Sequence, residues 1–218
     1  MTDFALEREA MVEQQMRRRG ISEKPILEAF MAVPREAFVS DDHAPLAYGD
    51  HPLPIGAGQT ISQPYIVALM IQAARIGPGD RVLEVGAGSG YAAAVISRIA
   101  RKVVGIERQH ELVEVARERL RRLGYDNVEI VEGDGTKGWL DDAPYDAIIA
   151  AASGSHVPEA LIAELAPGGR LVMPIGDPGA IQELVKVTKQ AGGILTQENL
   201  GSVRFVPLIG EAGWKSAC

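Results

Sequence analysis

The sequence predicts a doubly wound α/β fold with a mostly parallel sheet, antiparallel strands near the C-terminus and a helical N-terminal extension. Three observations predict it. From Pro64 onward, helix-like and strand-like segments alternate. The strand-like segments are near-continuous apolar runs, as expected when helices cover both faces of a parallel sheet. The first of them, Arg81–Val85, runs into the turn Gly86-Ala87-Gly88-Ser89-Gly90 and then into a helix, where such sheets take nucleotides.

Taken in order, residues 5–19 read as an amphipathic helix with Leu6, Ala10 and Met16 on one side among charges. A second helix covers 25–33, with Pro25 near its first turn. Residues 34–63 hold Pro34, Pro45, Pro52 and Pro54 with Gly49, Gly56 and Gly58, which predicts loop rather than regular structure. A loop this long inside a compact domain is functional or disordered. The apolar residues Phe38, Val39, Leu46, Tyr48, Leu53 and Ile55 predict that this one packs on the body. The helix Pro64–Ala74, the strand Arg81–Val85, a helix over 90–100, a strand over 102–106 and a charged helix over 109–123 follow. Strands are predicted at 128–131, 146–150 and 170–174, with a short helix at 158–165. Segments 182–188 and 194–200 flank Gly192-Gly193 as a hairpin, and 203–208 is extended. Residues 1–63 would then form helices and a covering loop packed on an α/β domain of 64–218, one structural unit in all.

Composition narrows the function. The 218 residues carry a formal charge of −7, and 46% are apolar, as in an ordinary globular protein. A negative field repels a polyanion, so nucleic acid is a poor default partner. Arg17-Arg18-Arg19 is the exception, and reads more simply as a solvated helix end. The single cysteine, Cys218, excludes an intrachain disulfide, and with it a cysteine nucleophile or metal cluster. Residues 1–19 are charged throughout and lack the apolar stretch of a secretory signal, and no run is long enough to span a bilayer. The expectation is a cytoplasmic protein, monomeric, with no resident metal.

The glycine turn lets a backbone pass close beside a ligand where a Cβ would collide. A dinucleotide fingerprint places its third glycine three residues after the second. Here Gly90 follows Gly88 by two, which resembles motif I of class I methyltransferases, whose cofactor has no phosphates. The second strand ends at Glu107, about 20 residues on, where a carboxylate can accept both ribose hydroxyls. NAD carries the same ribose, so Glu107 supports an adenosyl ligand without choosing one. The third strand leads into Glu132-Gly133-Asp134-Gly135, beside the adenine in this topology, with Asp134 placed to accept from its exocyclic amine.

After the fourth strand, enzymes that methylate DNA adenine or glutamine amides carry an Asn/Asp-Pro-Pro-Tyr/Phe sequence; Ala150-Ala151-Ala152-Ser153-Gly154 stands in its place. No base is evident. A carboxylate acceptor needs none, because with a pKa of about 4 it is already ionised at neutral pH. The enzyme has only to desolvate it and align it with an electrophilic methyl.

The segment Pro52-Leu53-Pro54-Ile55-Gly56-Ala57-Gly58-Gln59-Thr60-Ile61-Ser62-Gln63-Pro64 resembles the signature of protein-L-isoaspartate O-methyltransferases. Arg19-Gly20-Ile21, Val33-Pro34-Arg35 and Ala47-Tyr48-Gly49-Asp50 precede it in that family's order. Glu84 to Tyr91, Gly133-Asp134-Gly135, Leu165-Ala166-Pro167-Gly168-Gly169-Arg170-Leu171 and Val203-Arg204-Phe205-Val206-Pro207-Leu208 follow it. The resemblance spans roughly residues 10–210. It implies S-adenosyl-L-methionine as cofactor, S-adenosyl-L-homocysteine as product and isoaspartyl peptides and proteins as acceptors. The ester formed on the free α-carboxylate would collapse to a succinimide without the enzyme, returning some normal aspartate.

By that resemblance Ser62 is the active-site serine, a hydroxyl that orients the acceptor carboxylate; on sequence alone it also suits an N-cap of the helix from Pro64. Thr60, Ile61 and Ser62 would join Gly86, Ala87, Gly88, Ser89, Gly90, Glu107, Asp134 and Gly135 around the cofactor. Ile55, Gln59, Ala151, Ala152, Arg204, Phe205, Val206, Pro207 and Leu208 would surround the peptide. The run from Ala150 to His156 departs from the family's usual Val-Thr-Ala-Ala type, which leaves the shape of that wall open. His156 is the nearest titratable side chain there, or a surface residue. Also open are a methyltransferase for a small acid or RNA, an inactive cofactor-binding relative and, weakly, a dehydrogenase.

Overall fold

The computed structural model describes residues 3–215; Met1 and the lone cysteine, Cys218, lie outside them. Its centre is a seven-stranded sheet in the order β5-β4-β3-β6-β7-β8-β9. The strands are β3 (Arg81–Val85), β4 (Lys102–Glu107), β5 (Val128–Glu132), β6 (Tyr145–Ala150), β7 (Leu165–Ile175), β8 (Gln182–Lys189) and β9 (Leu195–Val203). Strands β5, β4, β3, β6 and β7 run parallel, and β8 and β9 pair antiparallel beyond them. The chain moves outward from β3 through β4 to β5, then returns to the other side of β3 as β6. That reversal leaves a crevice above the carboxyl ends of β3 and β6, the switch point of a doubly wound sheet.

Alternation along each strand sends side chains to two cores. Val82, Val103, Ala147 and Ile149 join one cluster with α3 (Pro64–Ala74), α4 (Tyr91–Ser97) and α5 (His110–Leu123). Leu83, Val85, Val104, Ile106 and Ile148 face the other, with Leu161 of the short α6 (Glu159–Ala163) and Leu208. The second face is thinly helical. The connection from β5 to β6 is made by two 3-10 turns, Gly135–Lys137 and Leu140–Asp142, rather than by a helix.

The N-terminal extension shares the first core. Met11, Met16, Ile26, Phe30 and Phe38 are buried in one cluster with Val67, Ile71 and Tyr91. Its apolar face differs from the predicted one: Leu6 is 64% exposed and Ala10 exposed, while Met11, Val12 and Met16 are buried. The cause is a wider π turn, Val12–Met16, which follows α1 (Phe4–Met11) and re-aims the face that a uniform helical period would assign. The arginine run closes this element as a 3-10 turn, Arg17–Arg19. Arg17 and Arg18 pair with Glu13, and Arg19 reaches Asp50 at 2.7 Å while lying over the Tyr65 ring. The run is held locally by acids and tethers the covering segment.

That segment is not all loop. Between α2 (Lys24–Ala32) and α3, two 3-10 turns lead to an antiparallel hairpin of β1 (Leu53–Gly56) and β2 (Gln59–Ile61). Pro54 and the glycines concealed it, since proline inside a run argues against a strand. Here Pro54 sits in an isolated two-stranded ribbon, opposite Thr60. The turn residues Ala57 and Gly58 both have positive φ, the backbone hand that suits a two-residue hairpin turn.

Candidate active site

The crevice above β3 and β6 opens into a cavity with about 1030 Å³ of empty space, counted out to solvent. Its floor is the glycine turn. The N–H groups of Gly86 and Ala87 both donate to the Ile106 carbonyl, at 2.8 and 3.0 Å, so the turn is stapled to β4. Gly88 has φ +53°, and a Cβ there would stand 3.0 Å from Ile55 Cδ1 of the hairpin. The hairpin therefore rests on the turn, and the third glycine serves the fold. Gly90 does not line the cavity; a Cβ on it would press on Leu120 and Ala116 of α5.

Glu107 ends β4 inside the cavity and is nearly buried. One oxygen accepts from Gly88 N at 3.0 Å, the other from Arg108 N at 2.8 Å and Gln109 N at 2.9 Å. Three of about four acceptor positions of a carboxylate are thus in use. The free one is on the oxygen that holds the glycine turn. Beyond β5, Gly133 and Gly135 line the cavity, and a Cβ on Gly135 would strike Val85 at 2.5 Å. Asp134 between them is placed otherwise than expected. It is outside the lining, and its carboxylate accepts from Thr136 N, Thr136 Oγ1 and Glu211 N. These bonds hold the carboxyl below its usual range against the opposing effect of burial. Thr136 and the C-terminal segment thus use three acceptor positions of that carboxylate, one of them on the oxygen that meets Glu211 N.

The remaining walls come from the hairpin and the two segments after β6 and β9. Gln59, Thr60, Ile61 and Ser62 line the cavity from the first, and Ala151, Ala152, Val206, Pro207, Leu208 and Ile209 from the others. Ser62 does not cap α3. The cap position is Gln63, whose side chain makes no capping bond. Ser153 links the other two walls: its N–H donates to Val206 O at 2.8 Å, and its carbonyl accepts from Leu208 N at 2.8 Å and Trp214 Nε1 at 3.0 Å. The unusual run after β6 therefore forms a backbone clamp on 206–208, with fully buried Ser153 at its centre. His156 is exposed beside Ser155 and does not line the cavity.

Three further residues assigned to the peptide stand back from the lining. Ile55 touches the glycine turn, Arg204 is exposed, and the Phe205 backbone is held by Gln182 while its side chain packs on the core. β9 ends at Val203, and the run of consecutive residues that lines the cavity begins at Val206.

Glu84 lines the cavity without having been singled out as a site residue. It is fully buried, and Oε2 has no hydrogen-bond partner. Burial pushes its carboxyl up to about 8; the charge of Glu107 adds to the rise, and the Ala93 N–H opposes it. The signal was present as an acid inside the otherwise apolar run Arg81–Val85. A raised folded-state pKa means that the native protein keeps a proton the unfolded chain has released. Stability should therefore fall as pH climbs from about 4.5 to about 8. The Glu84 contribution is bounded by about 1.4 kcal/mol per pH unit in that window. Urea unfolding of the ligand-free protein at pH 5 and pH 8, beside Glu84→Gln, measures it; equal slopes for the two proteins would refute the assignment.

Comparison with known proteins identifies the family. The family model for protein-L-isoaspartate(D-aspartate) O-methyltransferase matches residues 6–213. A protein-L-isoaspartate O-methyltransferase from Rhodopseudomonas palustris is 53% identical, over 99% of this chain and 88% of its own length. One from Koribacter versatilis is 50% identical, over 100% and 97%. Among solved structures, a protein-L-isoaspartate O-methyltransferase superposes with a TM-score of 0.86 at 32% identity, over 94% of this chain and 67% of the other. A Plasmodium falciparum protein assigned to the same activity, in complex with S-adenosyl-L-homocysteine, gives 0.80 at 28% identity, over 96% and 99%. The chain belongs to the protein-L-isoaspartate(D-aspartate) O-methyltransferase family, enzymes that use S-adenosyl-L-methionine.

Proposed function

We propose that the cavity binds S-adenosyl-L-methionine along the glycine turn and that Ser62 orients the α-carboxylate of an L-isoaspartyl residue against it. The observation that carries this reading is that Ser62 lines the same cavity as Ala151, Ala152, residues 206–208, the glycine turn and Glu107. The lining suits the cofactor. The turn offers a close approach for a nucleoside, and two carboxylates, Glu84 and Glu107, face a ligand with two cationic centres. Glu84, neutral when buried alone, gains a partner for its free oxygen there and ionises.

When bound, S-adenosyl-L-methionine supplies a methyl group made electrophilic by its sulfonium. The protein's work is alignment. Ser62 donates its hydroxyl hydrogen to one oxygen of the acceptor carboxylate and leaves the other free to attack in line. That oxygen forms the C–O bond as the C–S bond breaks, its electron pair passing to sulfur. No proton is removed from the acceptor, which is why no general base is required. Val206, Pro207 and Leu208 face the peptide and exclude water, which would compete for the methyl and solvate the carboxylate. Phe205, held through its backbone by Gln182, supports that wall from behind, as Ile55 supports the turn.

The acceptors in this reading are isoaspartyl-containing peptides and proteins, and the enzyme acts as a cytoplasmic monomer that binds neither nucleic acid nor membrane. The charge of −7 and the local pairing of Arg17, Arg18 and Arg19 support the first exclusion. No helix among the described residues is long and apolar enough to cross a membrane. Calorimetric titration with S-adenosyl-L-homocysteine tests the cofactor half: one site per chain is expected, and no heat at any temperature would sink it.

A further inference from the structure

Arg35 is among the largest fully buried side chains of the described residues, at 0% exposure. Its guanidinium makes two bonds, Nε to the Ala47 carbonyl at 2.7 Å and Nη2 to the Ser62 carbonyl at 2.8 Å. It lies over the ring of Tyr91, 4.7 Å from the centroid, and Phe30 and Phe38 pack edge-on against that ring. Tyr91 is the first residue of α4, directly after the glycine turn, and lines the cavity. Nη1 has no hydrogen-bond partner. Among the described residues no carboxylate pairs with this cation; neighbouring Glu36 is taken by Arg8 and Tyr48.

A buried cation with no counter-charge is a poor way to stabilise a fold. Desolvation opposes the charged form here, and well-packed apolar side chains commonly replace buried ions without loss. What an apolar side chain lacks is a planar fork with donors in fixed directions. The fork joins two points of the covering segment. It holds the Ala47 turn before the hairpin and Ser62, the residue directly after β2, against the start of the cofactor-side helix.

We infer that Arg35 is a positioning residue for methyl transfer, setting the distance between Ser62 and the glycine turn by gripping the Ser62 carbonyl from behind. It touches neither cofactor nor acceptor in this account. The inference rests on Ser62 being the acceptor-orienting residue, and a displacement near 1 Å at such a site costs up to about 100-fold in rate.

The test compares Arg35→Lys, which keeps a charge and reaches one carbonyl, with Arg35→Met, which keeps volume and no donor. Both are assayed well below their melting temperatures, per folded molecule. The expected result is S-adenosyl-L-homocysteine affinity within about threefold of wild type and kcat for an isoaspartyl peptide lowered at least about tenfold, more in Met than in Lys. A purely structural arginine would lower the melting temperature and leave kcat intact; kcat within twofold of wild type in both variants would overturn the inference. Should neither variant fold, amide exchange of the wild type decides. Protected amides of residues 53–62 and of Ala47 and Gly49 are expected to open together, and hairpin opening at least tenfold more frequent than that of the Ala47 turn would overturn it. Ser62→Ala, run alongside, separates the two ideas. Slow turnover there beside unimpaired Arg35 variants removes only the role of Arg35, whereas wild-type turnover in Ser62→Ala removes the reading on which it stands.

Discussion

A Ser62→Ala enzyme is expected to bind S-adenosyl-L-homocysteine as the wild type does and to turn over about 100-fold more slowly, the scale set by deleting one donor aimed at a reacting oxygen. The structure makes this a clean substitution. The backbone of Ser62 is held through its carbonyl by Arg35, a bond that survives loss of the hydroxyl. Gln63 rather than Ser62 occupies the cap of α3, so the helix loses nothing. Steady-state kinetics with an isoaspartyl peptide, with cofactor affinity from calorimetry, check both halves. A rate within threefold of wild type would remove Ser62 from the chemistry.

Glu107→Gln should act on the other side of the reaction, weakening S-adenosyl-L-homocysteine binding by about 100-fold or more. Three backbone N–H groups converge on that carboxylate, from Gly88, Arg108 and Gln109. A neutral amide presents its own NH2 to some of them, so the glycine turn loses its anchor as the ligand loses an acceptor. Hydrogen bonds to a charged partner contribute about 1.5–3 kcal/mol each, and each 1.4 kcal/mol is about tenfold in affinity. At saturating cofactor, kcat should stay within a few-fold of wild type. Unchanged affinity would mean that the ligand does not use this strand end.

The two substitutions fall on parts of the chain that were unequally legible. The sheet from β3 to β7 could be read because apolar runs and glycine turns are local signals, and β3 begins and ends where its residues predict. The hairpin could not, because Pro54, Gly56 and Gly58 are local arguments against a strand, and only tertiary support from the glycine turn beneath Ile55 overrides them. The helical face of residues 5–19 was misjudged for a similar reason: a π turn is a departure from periodicity that periodicity cannot announce. Glu84 was hidden in plain view, an acid in a buried strand, since a single charge within a short run reads as an interruption and not as a group aimed at a ligand.

Asp134 shows the opposite case. Its position at the third strand end was inferred correctly, yet the last described residues fold back and Glu211 N and Ala212 N reach Asp134 and Thr136. No pattern near residue 134 encodes a contact made 77 residues later. Ser153 is the same kind of case. Small residues after β6 suggested an uncertain wall, and the clamp that forms it depends on Val206, Leu208 and Trp214, all far along the chain.

The most direct test supplies S-adenosyl-L-methionine labelled in its methyl group with two peptides alike in sequence, one carrying an L-isoaspartyl and the other an L-aspartyl linkage. The account predicts a base-labile methyl ester on the isoaspartyl peptide and none on its partner. Equal labelling of both, or of neither, would contradict it.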